Sequence, residues 1–114
     1  METSQMLKGL LEGCILSIIK DQEAYGYEMV AKLADYGLDM VSEGSIYPVL
    51  LKLQKQDYVS SRMLPSKEGP KRKYYSITKQ GHTYLEEFQK QWSKVATSVN
   101  DIIEMNSKGG ESNE

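Results

Sequence analysis

Three consecutive cations, Lys71, Arg72 and Lys73, follow a stretch holding two prolines and a glycine near the middle of the chain. Adjacent like charges repel one another, so the run is a poor choice unless an anion meets it. Phosphate is the natural one: each contact releases counterion and gives a salt-dependent affinity with a log–log slope of roughly −0.9. Arg72 could also enter a narrow minor groove. A second set lies upstream, where Ser42, Ser45 and Tyr47 surround the start of a candidate helix and Lys52 and Lys55 follow on its outer face. Small donors at a helix start, where backbone amides favour phosphate, and a hydroxyl able to reach phosphate or base are the parts a helix needs to enter a major groove. Each has a plainer reading: Tyr47 packs under its helix, the serines only cap, and the lysines guard a hairpin edge. The chemistry in view is recognition of double-stranded DNA.

The net charge of −2 over 114 residues conceals how charge is distributed. Residues 1–51 carry −5, residues 52–79 carry +6 and residues 80–114 carry −3. A cationic block between acidic flanks concentrates the positive field where the hairpin lies.

Other chemistries find little support. Cys14 is alone, so no intrachain disulfide is available, and its apolar setting reads as a core cysteine rather than a redox sensor. His82 is the single histidine and has no metal-ligand partner; a surface or helix-start position suits it. Glu86 and Glu87 are adjacent and would splay on a helix, so no paired carboxylates emerge. No P-loop, dinucleotide-binding glycine pattern or repeat is present. The expectation is a protein that is not an enzyme and uses no cofactor or metal. No apolar run reaches membrane-spanning length, and Lys8, Glu12 and Ser17 interrupt the apolar stretch near the start, which argues against a signal peptide. A cytoplasmic protein without a membrane partner is expected.

The elements that must position these groups follow from periodicity. Met6, Leu7, Leu10, Leu11, Cys14, Ile15 and Ile18 predict an amphipathic helix over about residues 4–20. A second is predicted over 25–36 with Tyr27, Val30, Ala31 and Ala34 inward and Gly37 as its cap residue. A third carries Ile46, Val49, Leu50 and Leu53; Ser42 or Ser45 caps it. Pro48 is tolerated only in a first turn, which favours a start near Gly44 or Ser45. Residues 58–64 and 72–77 read as strands, joined by a tip over 65–71. Thr78 caps a long last helix whose apolar positions Leu85, Phe88, Trp92, Val95, Val99 and Ile102 alternate steps of three and four. That is the narrow seam of a coiled coil, and a second copy of the chain is its simplest partner.

The predicted fold class is mainly α (α+β): a winged helix-turn-helix with a two-stranded β-wing and a long C-terminal dimerisation helix. Its divisions are residues 1–78 for DNA binding, 79–105 for dimerisation, and a polar, glycine-rich disordered tail over 106–114. The seam residues are the dimerisation set. The rival reading is a winged-helix protein-interaction module without specific DNA binding.

Several segments together carry a resemblance: Tyr25-Gly-Tyr-Glu28, Gly44-Ser-Ile-Tyr-Pro-Val-Leu50, Leu53-Gln-Lys-Gln-Asp-Tyr-Val59, Lys71-Arg-Lys-Tyr-Tyr75 and Ile77-Thr-Lys-Gln-Gly81. Over about residues 5–105 the chain resembles the PadR family of bacterial transcriptional regulators. The resemblance implies a homodimeric repressor, often of a neighbouring transporter or detoxification gene, relieved by a small molecule. The single last helix looks like the compact subfamily, similar to multidrug-sensing members that hold flat, lipophilic, often cationic compounds at the dimer interface against a tryptophan. Trp92 stands where that tryptophan would be. With Phe88 and Val95 it forms the expected site for an aromatic or cationic effector. Two indoles across a two-fold axis could sandwich such a ligand or close a dry dimer core.

Overall fold

The computed structural model of the chain describes residues 3–66 and 69–112, with side chains through Met105. Helix α1 (Thr3–Met6) is a single turn, followed by α2 (Leu11–Ile18). The single helix expected over 4–20 is broken at Gly9, whose φ of 93° lies in the left-handed region. The break lets Leu7 and α2 bury separate side chains. Ile15, Leu16 and Ile19 are almost wholly enclosed, whereas Leu11, Cys14 and Ile18 are half-buried at the edge of the core.

Helix α3 (Gly26–Asp35) begins after Tyr25, whose backbone N–H donates to the Glu28 carboxylate at 3.1 Å. Its buried face is Met29 and Leu33. The expected inner face is corrected here: Tyr27, Ala31 and Ala34 are exposed and Val30 is half-buried. Two apolar rows run along this helix about one residue apart, and docking against α4 selects the one bearing the larger aliphatic side chains. Gly37, at φ 98°, ends the helix as expected. Leu38 N–H returns to Leu33 O at 2.8 Å and Gly37 N–H to Ala34 O at 2.9 Å, the paired bonds of a Schellman cap.

Helix α4 (Glu43–Lys55) is capped by Ser42, whose Oγ accepts from Ser45 N–H at 3.3 Å. It starts slightly earlier than Pro48 suggested, so that proline sits in the second turn and deprives Gly44 O of its intrahelical donor. Gly44 is exposed, so water can serve that carbonyl. Ile46, Leu50 and Leu53 have no solvent exposure, and Val49 is half-buried.

Strands β1 (Val59–Pro65) and β2 (Lys71–Ile77) pair antiparallel from Val59↔Ile77 to Pro65↔Lys71. Ala24 adds a bridge to Tyr75 through two backbone bonds of 3.2 and 2.8 Å, tying the hairpin to the turn before α3. At the tip, Ser66 Oγ donates to Pro70 O at 2.7 Å; Lys67 and Glu68 lie outside the described residues.

Thr78 caps α5 (Lys79–Ser112) as expected: its hydroxyl accepts from Gly81 N–H at 2.9 Å and donates to Asp57 O at 2.6 Å. Gly81 lets α5 start against the Tyr58 backbone carbonyl, since a Cβ there would overlap that atom. The helix is about 50 Å long at 1.5 Å per residue and makes the molecule 65 Å in its longest dimension. Its backbone continues past residue 105 into the segment expected to be a disordered tail, because extending a helix costs far less than nucleating one. The final two residues of that expected tail lie outside the described residues. Among the described residues no helix is long and apolar enough to cross a membrane.

Candidate nucleic-acid interface

The cation run opens the hairpin's second strand on its solvent side. Lys71, Arg72 and Lys73 are all exposed, and among the described residues none of the three enters an ion pair. Aromatic rings hold two of them in place: the Arg72 guanidinium lies 5.5 Å from the Tyr25 ring centroid and Lys73 Nζ 5.9 Å from that of Tyr75. Such contacts position a cation without neutralising it. Tyr75 is buried, and Tyr74 packs edge-on to Tyr25 with centroids 5.2 Å apart.

Arg72 and Lys73 share a cleft of about 170 Å³ with Tyr25, Gly26, Tyr27, Glu43, Tyr47 and Tyr75. It lies between the N-terminal ends of α3 and α4 and the first half of β2. Gly26 makes room for Tyr47, whose hydroxyl would lie 2.8 Å from a Cβ at that position. Tyr47 is 47% exposed and donates to Glu43 Oε2 at 2.9 Å. Burial first, then the Glu43 carboxylate, pushes the Tyr47 pKa up, so its hydroxyl stays protonated and able to donate. Ser42 and Ser45 are exposed on the same end of α4, with hydroxyl oxygens 3.2 Å apart.

Two cations of the basic block are engaged elsewhere. Lys52, exposed on the outer face of α4 as expected, also reaches Glu12 on α2 at 2.9 Å. Arg62 on β1 forms a two-pronged pair with Glu23, Nε to Oε1 at 3.1 Å and Nη2 to Oε2 at 2.7 Å, and Ser76 Oγ donates to the same carboxylate at 3.3 Å. The Arg62 hydrogen bond is the main reason the Glu23 carboxyl is held below its ordinary range. Sequence reasoning missed both acids, since each pairs with a cation far along the chain. Glu12 also accepts from Tyr84 Oη at 2.7 Å; that bond, with burial, pushes the Tyr84 pKa up to about 12. Burial raises the Glu12 carboxyl, but Lys52 and Tyr84 outweigh it and leave the net shift downward. Tyr84 in turn stacks on Tyr58 at 4.4 Å between centroids. Helices α2, α4 and α5 therefore meet at a single carboxylate.

The last helix divides in two. Leu85, expected in the dimer seam, is corrected to this chain's own core at 2% exposure, and Phe88 is half-buried against Gly13. Trp92, Val95, Val99 and Ile102 remain open, from 46% to 61% exposed. Phe88 and Trp92 border an apolar groove of about 730 Å³ against α2 and the end of α3, with Leu10, Cys14, Ile18 and Tyr36 opposite. Val95 does not line it. Cys14, expected in the core, instead forms part of this wall, and burial raises its thiol pKa. His82 is exposed in the first turn of α5.

The family model for the PadR-like transcriptional regulators matches residues 15–87, from the second half of α2 to the first turns of α5. The chain belongs to the PadR-like family. A PadR-like transcriptional regulator of Bacillus cereus is 54% identical, with a TM-score of 0.78 over 87% of this chain and 96% of that one. A Streptococcus transcriptional regulator is 44% identical, with a TM-score of 0.76 over 86% and 96% of the two chains. An uncharacterized protein of Lysinibacillus sphaericus is 31% identical over 91% of this chain and 97% of its own. This PadR-like protein is thus a transcriptional regulator rather than an enzyme, built on a winged helix with a long C-terminal helix.

Proposed function

We propose that this PadR-like regulator is a homodimeric repressor that grips duplex DNA with α4 in the major groove and the wing on the flanking backbone. The observation that carries the reading is the exposed Lys71–Arg72–Lys73 run standing beside the open N-terminal end of α4. In this arrangement Ser42 and Ser45 donate to phosphate or base edges, the Tyr47 hydroxyl oxygen accepts from a base edge while its proton stays on Glu43, and Arg72 with Lys71 and Lys73 neutralises backbone charge. Lys52 contributes less, because its ammonium is already paired with Glu12. Dimerisation is supported by the open apolar positions Trp92, Val95, Val99 and Ile102, which a second copy would cover. The groove beside Trp92 and Phe88 suits a small lipophilic or aromatic effector whose binding alters operator affinity.

Fluorescence anisotropy of the purified protein against the DNA upstream of its own gene, beside a scrambled duplex and across a salt series, tests this. Tight binding to the native duplex alone is expected. The Arg72→Ala/Lys73→Ala variant should lower the log–log salt slope by roughly 0.9 for each phosphate that is no longer neutralised. Equal, weak binding to both duplexes would instead favour a module that contacts protein.

A further inference from the structure

Helix α4 turns more than its lysines to solvent. Beside Lys52, which pairs with Glu12 while staying exposed, runs the open i, i+4 row Glu43, Tyr47, Leu51 and Lys55. Two members of this row suit neither packing nor phosphate binding. Leu51 is 56% exposed on a helix whose Ile46, Leu50 and Leu53 are fully enclosed. Glu43 places a carboxylate in the same cleft as Arg72 and Lys73, where it would repel every phosphate approaching them. A face meant only for backbone contact gains nothing from either residue.

We propose that Glu43 and Leu51 are the base-reading residues of this regulator, an inference that rests on α4 entering the major groove. A carboxylate on a recognition helix accepts from the exocyclic amino group of cytosine, and an apolar side chain packs on the methyl group of thymine. Tyr47 lies between the two and donates to Glu43 at 2.9 Å, which directs the carboxylate along the helix edge and leaves its other oxygen to accept from a base. The negative charge also provides discrimination: it opposes binding wherever no amino group is there to meet it. Glu43 and Leu51 lie one helical turn to either side of Tyr47, about 12 Å apart along the helix, so they address base pairs about three to four steps apart in one half-site.

The test is selection of duplexes from a random pool by the wild-type protein, Glu43→Gln, Glu43→Ala and Leu51→Ala, each checked for native helix content by circular dichroism. The wild-type motif is expected to hold a cytosine and a nearby thymine in each half-site. Glu43→Gln should replace the cytosine by adenine, the base that an amide reads, and Glu43→Ala should erase the preference at that column. Leu51→Ala should keep the cytosine and weaken the thymine. Removing either side chain's base contact should lower the preference for the selected site by between about 5- and 150-fold. Variants that select the wild-type motif unchanged, with Glu43→Gln merely binding every duplex more tightly, would overturn the proposal and leave the DNA-binding reading intact. A wild-type protein that enriches no motif would overturn both.

Discussion

Helices α4 and α5 are both amphipathic, yet they handle their apolar faces differently. Helix α4 buries Ile46, Leu50 and Leu53 completely within the chain. Helix α5 buries Leu85, half-covers Phe88, and then leaves Trp92, Val95, Val99 and Ile102 open, together with Ile103 and Met105. The difference lies in what stands opposite. Helices α2 and α3 and the hairpin surround α4, whereas α5 extends beyond the small domain after its first turns. An apolar stripe on a helix therefore specifies that a face will be covered; neighbouring elements decide whether its own chain can do it.

The largest effect that would sharpen this contrast is on stability. Leu50→Ala should cost about 2–5 kcal/mol, through reduced burial and a cavity, seen as a lower urea midpoint. Val99→Ala should change the unfolding of dilute protein by no more than about 0.5 kcal/mol while weakening self-association in sedimentation experiments. Equal costs for the two at high dilution would break the contrast. At the joint between the regions, Gly81→Ala should cost about 1–3 kcal/mol, because the new methyl meets the Tyr58 backbone carbonyl, which cannot turn aside. Thermal melts would show it; an unchanged melting temperature would mean that α5 is hung less tightly than its first turn suggests.

A smaller effect, about 1 kcal/mol, is expected for Ser42→Ala, which removes the oxygen accepting from Ser45 N–H. Ser45→Ala leaves that acceptor in place and should cost less, so comparing the two urea midpoints separates capping from any DNA role. The subtlest effect concerns pH. The Arg62 hydrogen bond holds the Glu23 carboxyl below its ordinary value of 4.5. A carboxyl whose folded pKa is depressed contributes stability above its unfolded pKa and loses it as pH falls through the folded one. The wild-type advantage over Glu23→Gln should therefore be present at neutral pH and fade below about pH 4.5. Urea midpoints measured across pH would show this, and an advantage unchanged at pH 3 would mean that charge does not hold the wing root.

Much of the fold was legible in the residues themselves. Periodicity located α3, α4 and α5; Thr78 and Gly37 marked helix ends through chemistry that acts over three or four residues. The aromatic and β-branched residues of 58–64 and 72–77 and the Pro/Gly tip located the wing, and the steps of three and four along α5 identified a seam. The motifs around Tyr25, Tyr47 and Tyr75 were sufficient to place the chain in its family. All of these signals are local, and local sequence carries them because hydrogen bonds and side-chain neighbours within one element are fixed by spacing alone.

Contacts between elements were decided only by the tertiary structure. Which of two apolar rows on α3 turns inward depends on its docking against α4. That Lys52 and Arg62 pair with acids depends on Glu12 and Glu23, distant along the chain and close only once it has folded. Leu85 and Val99 occupy equivalent places in one repeat, yet one is in the core and the other is in solvent. The pattern along a helix sets which residues share a face; the geometry of the packed elements sets what that face meets, because burial belongs to pairs of surfaces and not to either one alone.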